Sequence, residues 1–281
     1  LPQHPLWAFA NAAGSAPQPR RHLPGYGVTR LTRGATEVVF KWDNPPTRDG
    51  ASPHVHDDIL QTIVRFDDRD VLLDGGTFSY TEDPDLRQAL RSPRGHNAPQ
   101  VDGPSSGRSL STFRWRRVPR GEALSPHEND ACIASGRRSD DRVTRHVMLL
   151  DEGLALIADL VRGASETCWR LSHPPNNTHD NIWTSGPHQL GLWSECGHAM
   201  RVGQRPTSVR YGERFDAPTL EVQSAGGWQA LLLSSEGDDL SLRQASDGTL
   251  LVQRGPSFWR IRLTPKKAHI SPIEASEHPL G

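Results

Sequence analysis

Short apolar runs, cut by turn residues at close intervals, dominate this chain. Val28–Arg33 and Glu37–Trp42 flank Gly34, the pattern of a β-hairpin. Leu60–Phe66 and Val71–Leu73 flank Asp67–Asp70, predicting a second hairpin, and Arg142–Leu150 and Leu154–Val161 flank Asp151–Gly153, predicting a third. Further strand-like runs follow at Trp169–Ser172, Leu190–Trp193, Ala199–Val202, Trp228–Leu233, Gly248–Gln253 and Phe258–Leu263. Many short strands separated by regular turns indicate an all-β protein, a large antiparallel β-sandwich. The exception is Pro84–Arg91, with apolar Leu86, Ala89 and Leu90 at helical spacing and Pro in the first turn, which predicts a short helix. Leu6–Asn11 is a shorter helical patch before a Gly/Ser/Ala/Pro-rich stretch, so residues 1–20 read as a linker or tail, 21–264 as the sandwich and 265–281 as a polar C-terminal tail.

Composition sharpens this picture only in places. Hydrophobic residues make up 35% and charged residues 23% of 281 positions, a balance that fits a folded domain with a polar surface. The 25 Gly and 23 Pro fall between the apolar runs, as turn punctuation does. A formal net charge of -1 provides no global basic field for nucleic acid or a membrane surface. Lys stands only at 41, 266 and 267, so almost all positive charge is Arg, whose planar fork pairs with carboxylate or sulfate. Cys132, Cys168 and Cys196 are odd in number and far apart, which excludes a disulfide framework and a Cys-x-x-Cys metal site. No apolar run reaches the ~18 residues of a membrane span. The sequence starts at Leu1 with neither an initiator Met nor a signal-like stretch, which reads as the loss of an N-terminal part.

Candidate chemistry concentrates between Ser52 and Gly103. His54 and His56 stand two apart, Asp74 closes an apolar run before Gly75-Gly76, and His96 sits in a turn-rich segment. Imidazole and carboxylate are ligands that a borderline metal takes in an open three-ligand site. Asp74 reads equally as a turn-capping residue, and a lone His-x-His as a surface pair. Alternation along a strand would send His54 and His56 to opposite faces.

Taken in order, these segments resemble the C-terminal β-sandwich domain of the heparinase II/III family of polysaccharide lyases. Leu23–Arg30 is similar to the family's opening strand, and Pro53–Asp58 to its His-x-His-x-Asp signature. Val71–Tyr80 is similar to the strand and turn that follow, Leu90–Asn97 to the Arg-x-His-Asn element and Val101–Gly103 to the next strand. Arg145–Gly163 and Trp169–Pro174 resemble the long hairpin behind it. The resemblance implies β-elimination on a uronic-acid-containing, anionic polysaccharide such as heparan sulfate or alginate, and a periplasmic or secreted bacterial location. It also implies a partner, an N-terminal α/α-toroid that this sequence lacks, which supplies much of the catalytic machinery. His56, Asp74 and His96 are then the ligands of a divalent metal, Zn first with Ca or Mn as alternatives. His54 faces the cleft and shares catalysis with Tyr80, while Arg91 and Arg94 grip the substrate. His127, His146 and His173 are left as packing or surface positions. Two other readings stand beside this one. The first is a sandwich that binds acidic glycan without turnover. The second is a cupin-like metal enzyme, whose pattern wants a Glu where Ile59–Gln61 stand.

Overall fold

The computed structural model describes residues 19–45, 54–101, 107–124, 131–179, 181–235 and 239–273. The helical patch at Leu6–Asn11, the end of the Val101–Gly103 strand and His127 lie outside them. The regular structure of the described chain is almost entirely antiparallel sheet. Five strands form a meander in sequence order: Arg20–Leu23, Val28–Arg33, Thr36–Lys41, Thr62–Phe66 and Arg69–Leu72. An eight-stranded sheet is centred on Val143–Asp151, Leu154–Val161 and Gly227–Ser234. A four-stranded sheet joins His198–Arg210, Glu213–Ser224, Ser165–Arg170 and Gln100–Val101. A second sheet of four holds Leu240–Gln244, Leu250–Arg254, Ser257–Leu263 and Ala268–Ile273.

The eight-stranded sheet is the middle layer. One face packs Val147, Leu149, Ile157 and Leu231 against Leu31, Phe40, Val64 and Trp169. The other packs Met148, Leu156 and Leu232 against Leu250, Val252, Trp259 and Ile261. A strand covered on both faces needs apolar residues at successive positions, which is why Val143–Val161 reads as nearly continuous hydrophobic sequence. Two buried charges interrupt it. Arg145 and Asp159 face each other across this hairpin, fully buried, with both carboxylate oxygens 2.7 Å from the guanidinium.

Several expectations shift. The strand predicted from Leu60 begins at Thr62, because Leu60 takes a left-handed φ of 72° in a turn closed by Gln61 N–H on the Asp58 carbonyl. The Asp67-Asp68 turn has φ of 48° and 58°, the two-residue geometry that matches strand twist. The polar tail is corrected in part. Ala268–Ile273 pairs with Ser257–Leu263, placing buried Ala268 and half-buried Ile270 against the second core. Ala199–Val202 is the visible beginning of a much longer hairpin, His198–Arg210 with Glu213–Ser224. Apart from Thr207, Ser208 and Ala217, its outer half is half-buried or exposed, so no apolar alternation marked it.

Candidate active-site cleft

The segment from His54 to Asp58 is not a strand, so the argument from alternation does not hold. Its backbone is pinned by neighbours instead. Trp115 Nε1 donates to the Val55 carbonyl at 3.1 Å, Asn44 Nδ2 to the His56 carbonyl at 3.1 Å, and Asp57 N–H to the Arg91 carbonyl at 2.9 Å. The side chains still separate: His54 is exposed and His56 is buried.

The helix Pro84–Arg91 packs behind this segment. The Asp83 carboxylate caps it by accepting from Leu86 N–H at 2.9 Å. Leu86 and Leu90 form its apolar stripe, and Arg87 and Arg91, at the same four-residue spacing, are fully buried beside them. Arg87 donates to His56 Nε2 at 2.7 Å and lies 5.0 Å over the Tyr80 ring. Burial, with Arg91 adding repulsion, pulls the Arg87 pKa down to about 10, so it remains a cation at neutral pH. Arg91 donates to the Ser111 and Thr112 carbonyls at 2.9 and 2.6 Å and lies 4.7 Å over Trp115. The substrate-gripping role expected of Arg91 is therefore corrected: it is a buried tie between the helix and the short hairpin of Arg108–Ser111 with Arg114–Arg117. Arg94 is exposed and 3.9 Å from Glu166, and it does not line the cleft.

Asp74 starts the turn that crosses in front of this helix. One oxygen accepts from Gly76 N–H at 2.9 Å, the turn-capping role, and the other from His96 Nδ1 at 2.7 Å. Gly76 must be glycine: its φ is 74° and a Cβ would lie 1.8 Å from the Ser208 carbonyl oxygen. That close approach brings the long hairpin to the site, with Tyr211 5.8 Å from Tyr80, ring to ring. His96 is held through its neighbour. Asn97 donates to the Thr62 and Leu73 carbonyls at 3.1 and 2.6 Å and accepts from Arg170 N–H at 2.8 Å. The Asn97 carbonyl in turn accepts from Arg145.

These elements enclose a cleft of about 450 Å³ lined by His54, His56, Asp58, Asp74, Tyr80 and Tyr211 among others. At its mouth His54 Nδ1 and the Tyr80 hydroxyl share a 2.7 Å hydrogen bond, and Tyr80 stacks on exposed Phe113 at 6.2 Å. Behind them the His56 and His96 rings are 5.4 Å apart. Burial holds the His56 pKa well below the usual histidine range, with His96 and Arg87 adding to the effect, so the ring is neutral. His96 Nε2 is buried without a hydrogen-bond partner. Among the described residues no three His, Cys, Asp or Glu side chains are arranged to hold an ion as they stand. Sequence reasoning missed Arg87, Tyr211 and the buried Lys41–Asp58 pair at 2.7 Å. The available signals were two Arg on the apolar stripe of the helix and the scarcity of Tyr.

The family model described as heparinase II/III-like, C-terminal, matches residues 15–277. The chain belongs to the heparinase II/III-like family. The heparan sulfate lyase HepC of Pedobacter heparinus superposes with a TM-score of 0.66 at 16% identity, over 98% of this chain and 45% of that one. The heparinase III-BT4657 gene product gives 0.65 at 13% identity, over 95% and 44%. A crystal structure of heparinase III gives 0.66 at 12%, over 92% and 43%. This heparinase II/III-like chain thus spans less than half the length of the solved structures it matches. No curated protein matches it by sequence. The match to the family's C-terminal domain leaves the cupin reading without support. No described helix of this family member is long and apolar enough to cross a membrane.

Proposed function

We propose that this chain is the C-terminal domain of a polysaccharide lyase acting by β-elimination on a uronic-acid-containing glycan outside the cytoplasm, and that it forms one wall of the substrate cleft. The observation that carries this reading is the His54–Tyr80 hydrogen bond at the mouth of the cleft. In β-elimination a base takes the C5 proton, the electron pair closes the C4–C5 double bond, and the C4–O bond breaks toward a protonated leaving oxygen. No water is consumed. A phenol hydrogen-bonded to an imidazole can hold and pass one proton at the Tyr80 oxygen, the kind of transfer both halves of this reaction need. Arg87 places a fixed positive charge behind the Tyr80 ring. The toroid of this family would close the other side of the cleft.

A divalent metal, zinc first, also belongs to this reading. The neutral His56, the unpartnered Nε2 of His96 and the Asp74 carboxylate form a donor set suited to it. Two contacts would have to open first: Arg87 on His56 Nε2, and His96 Nδ1 on Asp74. When bound, such an ion supplies fixed positive charge that orders the wall behind His54. Incubating the full-length gene product with alginate and heparan sulfate while following absorbance of the unsaturated uronate tests the lyase reading. A rise is expected with a cognate polymer. Binding with no rise favours the second reading, a glycan-binding module.

A further inference from the structure

We infer that the outer face of the second four-stranded sheet, on the side of the sandwich away from the cleft, is a docking surface for an anionic polysaccharide, centred on Arg243, Arg260 and Arg262. This rests on reading the protein as one that acts on such a polymer, and it adds a second place where the polymer is held. Leu242, Val252, Trp259 and Ile261 turn toward the core under the eight-stranded sheet, so the residues alternating with them turn outward. Arg243 pairs with Leu251, Leu251 with Arg260 and Arg260 with Ser271, one row across all four strands. Arg262 pairs with His269 in the next row of the same face. All three arginines and His269 are exposed. Neighbouring strands stand about 4.8 Å apart and alternate residues of one strand about 6.7 Å, so the three arginines spring from points within roughly 12 Å of one another.

Charge chooses the occupant. Between Leu240 and Ile273 the sequence has four Arg and two Lys against one Asp, in a protein of net charge -1. Arg254 is taken by Asp151 at 3.1 Å. None of the ion pairs among the described residues uses Arg243, Arg260 or Arg262. Asp247 lies near Arg260 and Arg262 without pairing with either, and its Oδ1 accepts from Thr249, at 2.6 Å from the hydroxyl and 3.0 Å from the N–H. Like charges gathered on one face repel, and a polymer with several sulfates or carboxylates relieves them together. The apolar residues argue against other polyanions. A membrane-surface anchor adds inserted apolar side chains to its cations, whereas Leu251 and Phe258 on this face are buried. Single-stranded nucleic acid stacks on exposed aromatic rings, and no described ring of this sheet is exposed. Arginine forks beside Ser241, Gln253 and Ser271 suit a chain that carries sulfates or carboxylates among hydroxyls. The face and the cleft belong to the two outer layers, with the eight-stranded sheet between them. Sheets pack about 10 Å apart, so a short oligosaccharide fills one site or the other and only a long chain engages both.

The test uses the full-length protein and a triple variant, Arg243→Gln with Arg260→Gln and Arg262→Gln, on heparan sulfate, alginate and tetrasaccharides cut from each. Elimination kinetics and calorimetric binding are measured side by side, at low and at high salt. At low salt the triple variant should raise KM for the long polymer about tenfold, the sum of three exposed charge contacts and well inside the gain that linked sites allow. Its kcat and its tetrasaccharide kinetics should match the wild type. High salt should erase the difference. Ser271→Glu sets an acid opposite Arg260 and should weaken polymer binding about threefold. That change adds a favourable cross-strand pair, so it decides the matter if the triple variant does not fold. Polymer KM and affinity unchanged in the variants overturn the proposal and leave the lyase reading standing. Tighter binding of the wild type to phosphatidylglycerol vesicles than to either polymer, lost in the triple variant, overturns it too. Polymer binding that weakens in the variants, with no elimination by any of the proteins, upholds the docking face and refutes the lyase reading. Binding of neither polymer refutes both.

Discussion

Replacing Arg145 with Met should destabilise the domain and loosen the cleft together. Arg145 and Asp159 are 0% and 2% exposed at the side chain, and their bidentate bond has both distances at 2.7 Å. Removing one partner of a buried pair leaves the other charge uncompensated and costs about 3–5 kcal/mol. That is a large fraction of the roughly 5–15 kcal/mol that holds a domain folded. Arg145 also donates to the Leu60 carbonyl at 2.7 Å and to the carbonyl of Asn97, so the loss reaches the turn that positions His96. The double change Arg145→Met with Asp159→Leu removes both charges and leaves the two carbonyls short of a donor, a cost of about 1–3 kcal/mol each at most. The double variant should therefore be more stable than Arg145→Met alone. Urea unfolding with an unchanged m-value measures the differences. Amide hydrogen exchange at His96 and Asn97 should quicken in Arg145→Met. A loss below about 1 kcal/mol in Arg145→Met, or a double variant equal to the sum of the singles, would refute the reasoning.

Tyr80→Phe should lower turnover of the full-length protein by on the order of 10²–10⁴-fold, with its melting temperature nearly unchanged, because the hydroxyl is at the cleft mouth. A variant with full activity removes Tyr80 from the chemistry. Elemental analysis should find about one divalent ion per chain, lost in His56→Ala and in His96→Ala; protein purified without metal, and unresponsive to added zinc, would reject that ligand set. Burial pushes the His146 pKa below its ordinary 6.5, and the neutral ring is bonded to Ser135 Oγ at 2.6 Å and the Thr264 carbonyl at 2.9 Å. The unfolded chain then binds the extra proton below pH 6.5, so this part of the stability is complete above that pH and declines as pH falls toward the lower folded pKa. His146→Gln should flatten the stability–pH curve in that window, and a curve of unchanged slope would exclude His146 as its source.

The sequence made the interior legible and left the rim obscure, for a physical reason. Central strands such as Leu154–Val161 are covered on both faces, so packing dictates their residues and the pattern shows. The hairpin His198–Ser224 buries only Thr207, Ser208 and Ala217 in its outer half, too few and too polar to impose an apolar period. Yet that half delivers Tyr211 to Tyr80. The histidines of the site were found by their spacing and their setting in turns. His54 is exposed and His56 buried, yet both line one cleft, and the web of bonds from Trp115, Asn44 and Arg91 holds their backbone in place of a strand. Arg91 failed as a substrate contact because a charge near a helix end usually faces solvent, whereas this one enters the wall and bonds three carbonyls. Local sequence cannot distinguish these two fates, since both place Arg in the last helical turn.

The buried charges share one arrangement. Arg87, Arg91 and Arg145 are among the largest fully buried side chains, and each bonds a group within or next to the segments that carry His54, His56 and His96. A purely apolar core of the same volume would be at least as stable. Hydrogen bonds, unlike apolar contacts, have direction, so they fix where a loop backbone sits. The loops from Val55 to Asp58 and from Gly95 to Asn97 have little regular ladder of their own. Three guanidiniums, with Asn44 and Asn97, substitute for that ladder, so the cleft keeps its shape at the cost of charges that cannot be removed one at a time.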